Sequence, residues 1–300
     1  MALVSQMSFI PKGSNGFSPP TSTERSQFRL SLIHLLNGRL ETAFNGFQVL
    51  DMDLLKFNDI RGKSLFLIRE KPASSPRGLG LFVIDPAYSR NLVLQAPHPV
   101  ADQSTETEAA DFFLKLTARG LLIAGSHRCA NSDSSSCSGT TSVCSTDGSS
   151  ISYKTSDAAH STEQLFEVAH EVFMDFDSNT VALAFHGFSQ GPGEPHSYIS
   201  DGTKILGSSD HLPNQLASEL NQSTGLSTAA KSCNDGTPGS MLCGTEDLQG
   251  RYANQSPNAC TLPAPSTSGR FLHIEQSLDL RTEGGEVNPG QLLGALEAVF

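Results

Sequence analysis

His98 with Asp102, Arg128, His186 and Glu275 are the residues whose types and spacing could do chemistry in this chain. Each follows or closes a short apolar run. Leu92 to Ala96 reads as a strand that must stop at Pro97, because proline cannot donate to a sheet ladder, and His98 sits between Pro97 and Pro99. Gly120 to Gly125 delivers His127 and Arg128, Thr180 to Phe185 leads into His186-Gly187, and Arg270 to Ile274 runs into Glu275. Two imidazoles and one carboxylate are a common ligand set for a catalytic Zn2+ that keeps a position open for water. A further glutamate, Glu275, can then act as general base, and an arginine, Arg128, can neutralise developing or substrate negative charge. The metal set read this way is His98, Asp102 and His186, with Glu106 as the alternative carboxylate. Each residue also has a plainer explanation. A histidine at a strand end is often only hydrogen-bonded, Asp102 could be a turn former, and Arg128 and Glu275 could form a structural ion pair with each other or with aspartates.

The elements that must position these groups are legible around them. Thr105-Glu106-Thr107-Glu108 reads as a capping box, followed by Ala109, Phe112, Phe113 and Leu116 at helical spacing. Strand, His-bearing turn, helix and second strand therefore make one open-sheet unit with chemistry at the strand tips. Upstream, the pattern predicts one helix around Phe28 to Leu40 and strands over Ser64 to Arg69 and Gly80 to Asp85. The second of these is expected to form a hairpin with the Leu92 strand. Ser161 is expected to cap an amphipathic helix whose buried stripe is Leu165, Val168, Ala169, Val172, Phe173 and Phe176. His160 and His170 fall outside that stripe and are expected at the surface. A helix is predicted near Leu212 to Leu220, and Pro289 opens a carboxy-terminal one. The fold class implied is α/β, a mixed open sheet with helices on both faces.

Composition narrows the function. A formal net charge of −11 over 300 residues argues against nucleic acid or an anionic membrane surface as partner. No apolar run approaches the roughly 20 residues of a membrane span, and no signal peptide is visible. Residues 1–25 read as a weakly ordered leader and 26–300 as a single hydrolase-type domain, with Ser/Cys-rich insertions at 131–156 and 221–262. The first insertion, NSDSSSCSGTTSVCSTDGSS at its core, is too polar to fold alone and reads as a flexible segment stapled by cysteines. Six cysteines in loop sequence, with no Cys-x-x-Cys spacing, favour disulfide bonds and a secreted or extracytoplasmic protein over a zinc ribbon. Their pairing is open, since six cysteines allow about 15 arrangements.

The ordered words Ala96-Pro97-His98, Asp102, Gly125-Ser126-His127-Arg128, Ala184-Phe185-His186-Gly187 and His273-Ile274-Glu275 together resemble the zinc-carboxypeptidase-like hydrolases. The likeness is nearest to the N-formylglutamate amidohydrolase and poly-gamma-glutamate hydrolase group and spans roughly residues 80–300. It implies a three-layer sandwich and a zinc-dependent, metallopeptidase-like amidohydrolase. Such an enzyme cleaves an amide or peptide bond next to a substrate carboxylate, in a small molecule or peptide of N-acyl amino acid or glutamyl type. The chain departs from the pattern in its Ser-rich insertion and in its short His-to-acid spacing.

Two other readings compete. Gly187-Phe188-Ser189-Gln190-Gly191 is a G-x-S-x-G sequence after an apolar strand, as in the nucleophile elbow of a serine esterase, with His273 as partner. Its continuation Pro192-Gly193-Glu194-Pro195 cannot start the helix that such an elbow requires. A non-catalytic secreted binding protein, with structural histidines, is the third reading.

Overall fold

Strand order decides which strand tips meet, and side-chain alternation decides which face they share. The computed structural model describes residues 4, 7–72, 76–236 and 242–300. The first residues of the expected leader, three residues of the loop after the second strand and part of the second insertion lie outside them. The chain opens with α1 (Ser22–Leu36) and α2 (Leu40–Gln48) where one helix is predicted. Gly38, at φ 73° between them, turns the chain so that Phe28 and Phe47 meet edge to face. Antiparallel β1 (Met52–Asn58), β2 (Ser64–Glu70) and β3 (Leu81–Ile84) follow. Next come β4 (Arg90–Ala96), α3 (Thr105–Lys115), β5 (Ala118–Ile123) and the two-residue strands β6 (Thr140–Thr141) and β7 (Ile151–Ser152) of the first insertion. The chain continues with α4 (Leu165–Phe176), β8 (Val181–Gly187), β9 (Ser197–Ser200), α5 (Leu212–Thr224), β10 (Ala230–Ser232) and α6 (Leu248–Ala253). It closes with β11 (Phe271–Gln276), α7 (Leu278–Arg281) and α8 (Pro289–Val299).

Nine strands form one mixed sheet in the order β1-β2-β3-β5-β4-β8-β11-β9-β10. The α/β fold class expected from sequence is the one observed. Strands β5, β4, β8 and β11 are parallel and central, and their runs are buried on both faces, as parallel strands with helical cover must be. One face packs α3, α5 and α8 around Leu94, Phe185 and Ile274. The other packs α1, α2, α4 and α6 around Val93, Leu122, Ala182 and Phe271. From β4 the chain crosses by α3 to β5 on one side, then returns by α4 to β8 on the other. The carboxyl ends of β4 and β8 therefore flank a topological switch point, where such sheets open a crevice.

Several local expectations are corrected. Strand β3 does not pair with β4. It pairs antiparallel with β2 and β5, because β5 is inserted between β3 and β4. The capping box before α3 does not form: Ser104 precedes the helix at φ 73° without a side-chain cap. The Thr105 hydroxyl donates instead to the Asp102 carbonyl, 2.8 Å, while Glu108 is buried and accepts from Gln276 at 2.8 Å. Helix α4 starts at Leu165, so Ser161 precedes it by more than a cap position, and Phe176 is exposed at the frayed end. His170 is fully buried, with Nδ1 2.7 Å from the Gln95 amide, because α4 is covered on both flanks. His160 is buried too. The described part of the leader lies along the domain, with Ile10 bridged to Ser126 and Phe17 buried. The cysteines pair as Cys129–Cys144, Cys137–Cys260 and Cys233–Cys243. No described helix is long and apolar enough to cross a membrane.

Candidate metal centre

His98 leaves β4 at its carboxyl end, and the turn after it is tight: the Asp102 amide donates to the His98 carbonyl, 2.9 Å. Val100 and Ser104 adopt positive φ on either side of Asp102, which turns its carboxylate back towards His98. From β8, His186 arrives beside it. In the parallel register Glu275 of β11 is the neighbour of His186, so both side chains share one sheet face with His273. His98, Asp102 and His186 offer ligand atoms that all lie within 4.8 Å of one another. Asp102 Oδ2 is 3.3 Å from His98 Nδ1 and 3.7 Å from His186 Nδ1, and it accepts from the Gly187 amide at 3.1 Å. The three residues singled out from the sequence as ligands are brought together. Glu106, the alternative carboxylate, lies outside the cluster in the first turn of α3, half-buried.

The outward nitrogens of both rings face other carboxylates. His98 Nε2 is 2.8 Å from Asp157 Oδ1, and His186 Nε2 is 3.4 Å from Asp247 Oδ2. Asp157 also takes the Arg128 guanidinium (Nη2, 2.8 Å) and His160 Nδ1 (3.0 Å). Asp247 takes His273 Nδ1 at 2.8 Å and His160 Nε2 at 3.3 Å. Two further His/Asp groupings, His98-Asp157-His160 and His186-Asp247-His273, could be considered as ligand sets. Their shortest pairs are 2.8 Å apart, which is direct hydrogen bonding. An ion with bonds near 2.1 Å separates tetrahedral ligands by about 3.4 Å, so the spacing around Asp102 is the one that fits. The residues present therefore suit a divalent ion at His98, Asp102 and His186, with Asp157 and Asp247 in the outer positions that fix histidine tautomers.

Electrostatics follow from burial among these charges. Burial alone would raise the Asp157 carboxyl, but Arg128, His160 and His98 hold it well below its ordinary range. Asp102 is likewise lowered against burial, by His98 and His186. For His98, burial and Arg128 oppose a charged ring, yet Asp157 and Asp102 lift its pKa to about 9. His186 moves the other way, pushed down by burial and by His273. Burial also opposes charge on His273, but Asp247 and Glu275 raise it to about 10.

Glu275 Oε1 lies 3.3 Å from His273 Nε2, while its Oε2 is buried without a hydrogen-bond partner among the described residues. These groups line a pocket of about 400 Å³ whose outer walls include Val143 and Tyr153 of the first insertion and Glu246 of the second. The Tyr153 ring stacks on His160 at 3.7 Å, and its hydroxyl donates to Glu246 at 2.6 Å. The segment expected to be a flexible insertion thus supplies a wall of the site. Arg128 lines the same pocket, but its Nε and Nη2 are engaged by Asp157, as in the ion-pair alternative, and its Nη1 lies 3.4 Å from His98 Nδ1.

Asp157, His160, Asp247 and the pairing of His273 escape the sequence reading. The one available signal was Asp157-x-x-His160 at the end of the Ser-rich run, a carboxylate and an imidazole three residues apart. Ser189 is exposed on a loop with no helix before His211, and the His273 nitrogens face Asp247 and Glu275. Comparison with protein-family models and with curated proteins found no match for this chain.

Proposed function

We propose that the protein is a metal-dependent hydrolase that cleaves an amide or peptide bond, with zinc held by His98, Asp102 and His186. The observation that carries the reading is the convergence of His98 Nδ1, His186 Nδ1 and Asp102 Oδ2, while the opposite ring nitrogens rest against Asp157 and Asp247. A bound divalent ion supplies Lewis-acid polarisation of the scissile carbonyl and of the attacking water. Glu275 is the general base: its free Oε2 takes the water's proton and later returns it to the leaving amine. His273, held by Asp247, fixes Glu275 through Oε1 and so leaves Oε2 available. Arg128 orients Asp157 behind His98. Burial around these groups strengthens each charge interaction compared with water. Three disulfides favour a secreted or extracytoplasmic setting.

Elemental analysis of protein reconstituted with zinc should find about one ion per chain. Hydrolysis of a panel of N-acyl amino acids should stop on chelation and return with zinc, while Ser189→Ala keeps most activity. Protein that takes up no metal would be the binding protein of the third reading. Activity indifferent to chelators but abolished in Ser189→Ala would make it a serine esterase.

A further inference from the structure

Beside the metal cluster, on the other side of Gly187, lies a second pocket of about 480 Å³, lined by Gln103, Gly187, Ser189, Gln190, Asp279 and Arg281. It adjoins the centre through the backbone: Gln103 follows Asp102, and Gly187 follows His186. Arg281 is 7% exposed. Its Nε donates to the Ser277 carbonyl at 3.3 Å and one Nη to the Gln103 carbonyl. Among the described residues, the other Nη donates no hydrogen bond and no carboxylate forms an ion pair with the guanidinium. A buried guanidinium lacking a carboxylate partner is costly to hold, and the cost falls when an anion binds. Gly187 permits the approach, since a Cβ there would run into the guanidinium carbon.

We infer that Arg281 is the residue that receives the substrate's carboxylate, in the pocket that Gln103 and Gln190 line beside it. The place of this pocket in catalysis rests on the hydrolytic reading above; the anion site itself does not. A planar carboxylate matches the guanidinium fork. Asp102, Glu106, Glu108 and Glu275 surround Arg281 at longer range, and Asp279 lines the pocket. That acidic surrounding selects a ligand with one negative charge over a dianion such as phosphate. The assignment gives the Gly187-Phe188-Ser189-Gln190-Gly191 loop a binding role, and it frees Arg128, already held by Asp157, from substrate recognition.

The test is calorimetric titration of the full-length protein, metal-free and zinc-loaded, with N-acetylglycine, its neutral amide and inorganic phosphate. N-acetylglycine should bind both forms. Arg281→Gln should weaken it by about 10-fold or more and Arg281→Lys by less, because lysine keeps the charge without the fork. The amide and phosphate should bind weakly and equally to all variants. Equal binding of N-acetylglycine to wild type and Arg281→Gln, or binding of the amide as tight as the acid, overturns the assignment. Should Arg281→Gln not fold, the wild-type protein still decides. N-acetylglycine must shift the backbone amide resonances of Gly187 to Gln190, and unmoved resonances overturn the proposal. Loss of metal binding and hydrolysis with N-acetylglycine binding intact would instead remove the hydrolytic reading alone.

Discussion

At the scale of single residues, the centre separates ligands from the groups that hold them. His98 and His186 each present one nitrogen to Asp102 and the other to a second aspartate. Replacing either ring by alanine should abolish stoichiometric zinc. Asp157→Asn keeps the shape and an acceptor oxygen but removes the charge, and should weaken zinc about 10- to 100-fold, the usual effect of losing an outer partner. Chelator competition on the folded variants measures both, and unchanged affinity in Asp157→Asn would place that residue outside the metal's support. Glu275 differs in kind, for its Oε2 has no hydrogen-bond partner among the described residues. Glu275→Gln should retain zinc and lose on the order of 10²–10⁴ in turnover. Wild-type turnover in that variant would remove the assigned base.

At the scale of elements, α4 carries two exacting contacts. A Cβ at Gly120 of β5 would stand 2.9 Å from the Phe173 ring, so the strand admits the helix only because it has no side chain there. Gly120→Ala should cost about 1–3 kcal/mol in chemical unfolding, the penalty of overpacking a rigid aromatic contact. Six residues earlier, Glu167 is buried and accepts from the Gln249 amide at 2.6 Å. Burial outweighs that hydrogen bond and lifts its pKa to about 8. The folded state therefore holds a proton that the unfolded chain releases near the ordinary glutamate value. Its contribution is fully present below that value and is lost as pH rises through about 8. Urea unfolding should show stability falling between roughly pH 5 and 8, with each such group contributing a slope on the order of 1.4 kcal/mol per pH unit. Glu108 of α3, raised to about 8 by burial, adds to the same slope. Glu167→Gln should flatten part of it, and an unchanged slope would show that Glu167 is ionised in the fold.

Across the whole molecule, the disulfides secure the segments that complete the site. Cys129–Cys144 and Cys137–Cys260 brace the first insertion, which leads into Tyr153, Asp157 and His160, while Cys233–Cys243 ends just before Asp247. The bond between Cys137 and Cys260 spans 123 residues of sequence, so its loss frees the largest loop in the unfolded chain. The double variant Cys137→Ser, Cys260→Ser should lose about 2–4 kcal/mol of stability and bind zinc more weakly. Full zinc affinity after complete reduction would mean that the insertions do not support the centre.

What the sequence determined by itself were the features set by short-range chemistry. Pro97 ends β4 and sets the position of His98, short apolar runs mark the central parallel strands, and Pro289 marks the start of α8. These depend on neighbours within a few residues, so they are legible without the fold. The tertiary structure alone decided that β5 separates β3 from β4, because pairing depends on strand order and not on proximity along the chain. It decided the surroundings of two histidines expected at the surface: His170 is buried because α4 is covered on both flanks, and His160 because it stacks on Tyr153 against Asp157 and Asp247. It also brought Asp157 and Asp247, 90 residues apart in polar, low-complexity sequence, behind two strand-end histidines. Such segments carry no hydrophobic period to reveal their course. Their positions come from disulfides and buried ion pairs, which form only when distant parts of the chain meet.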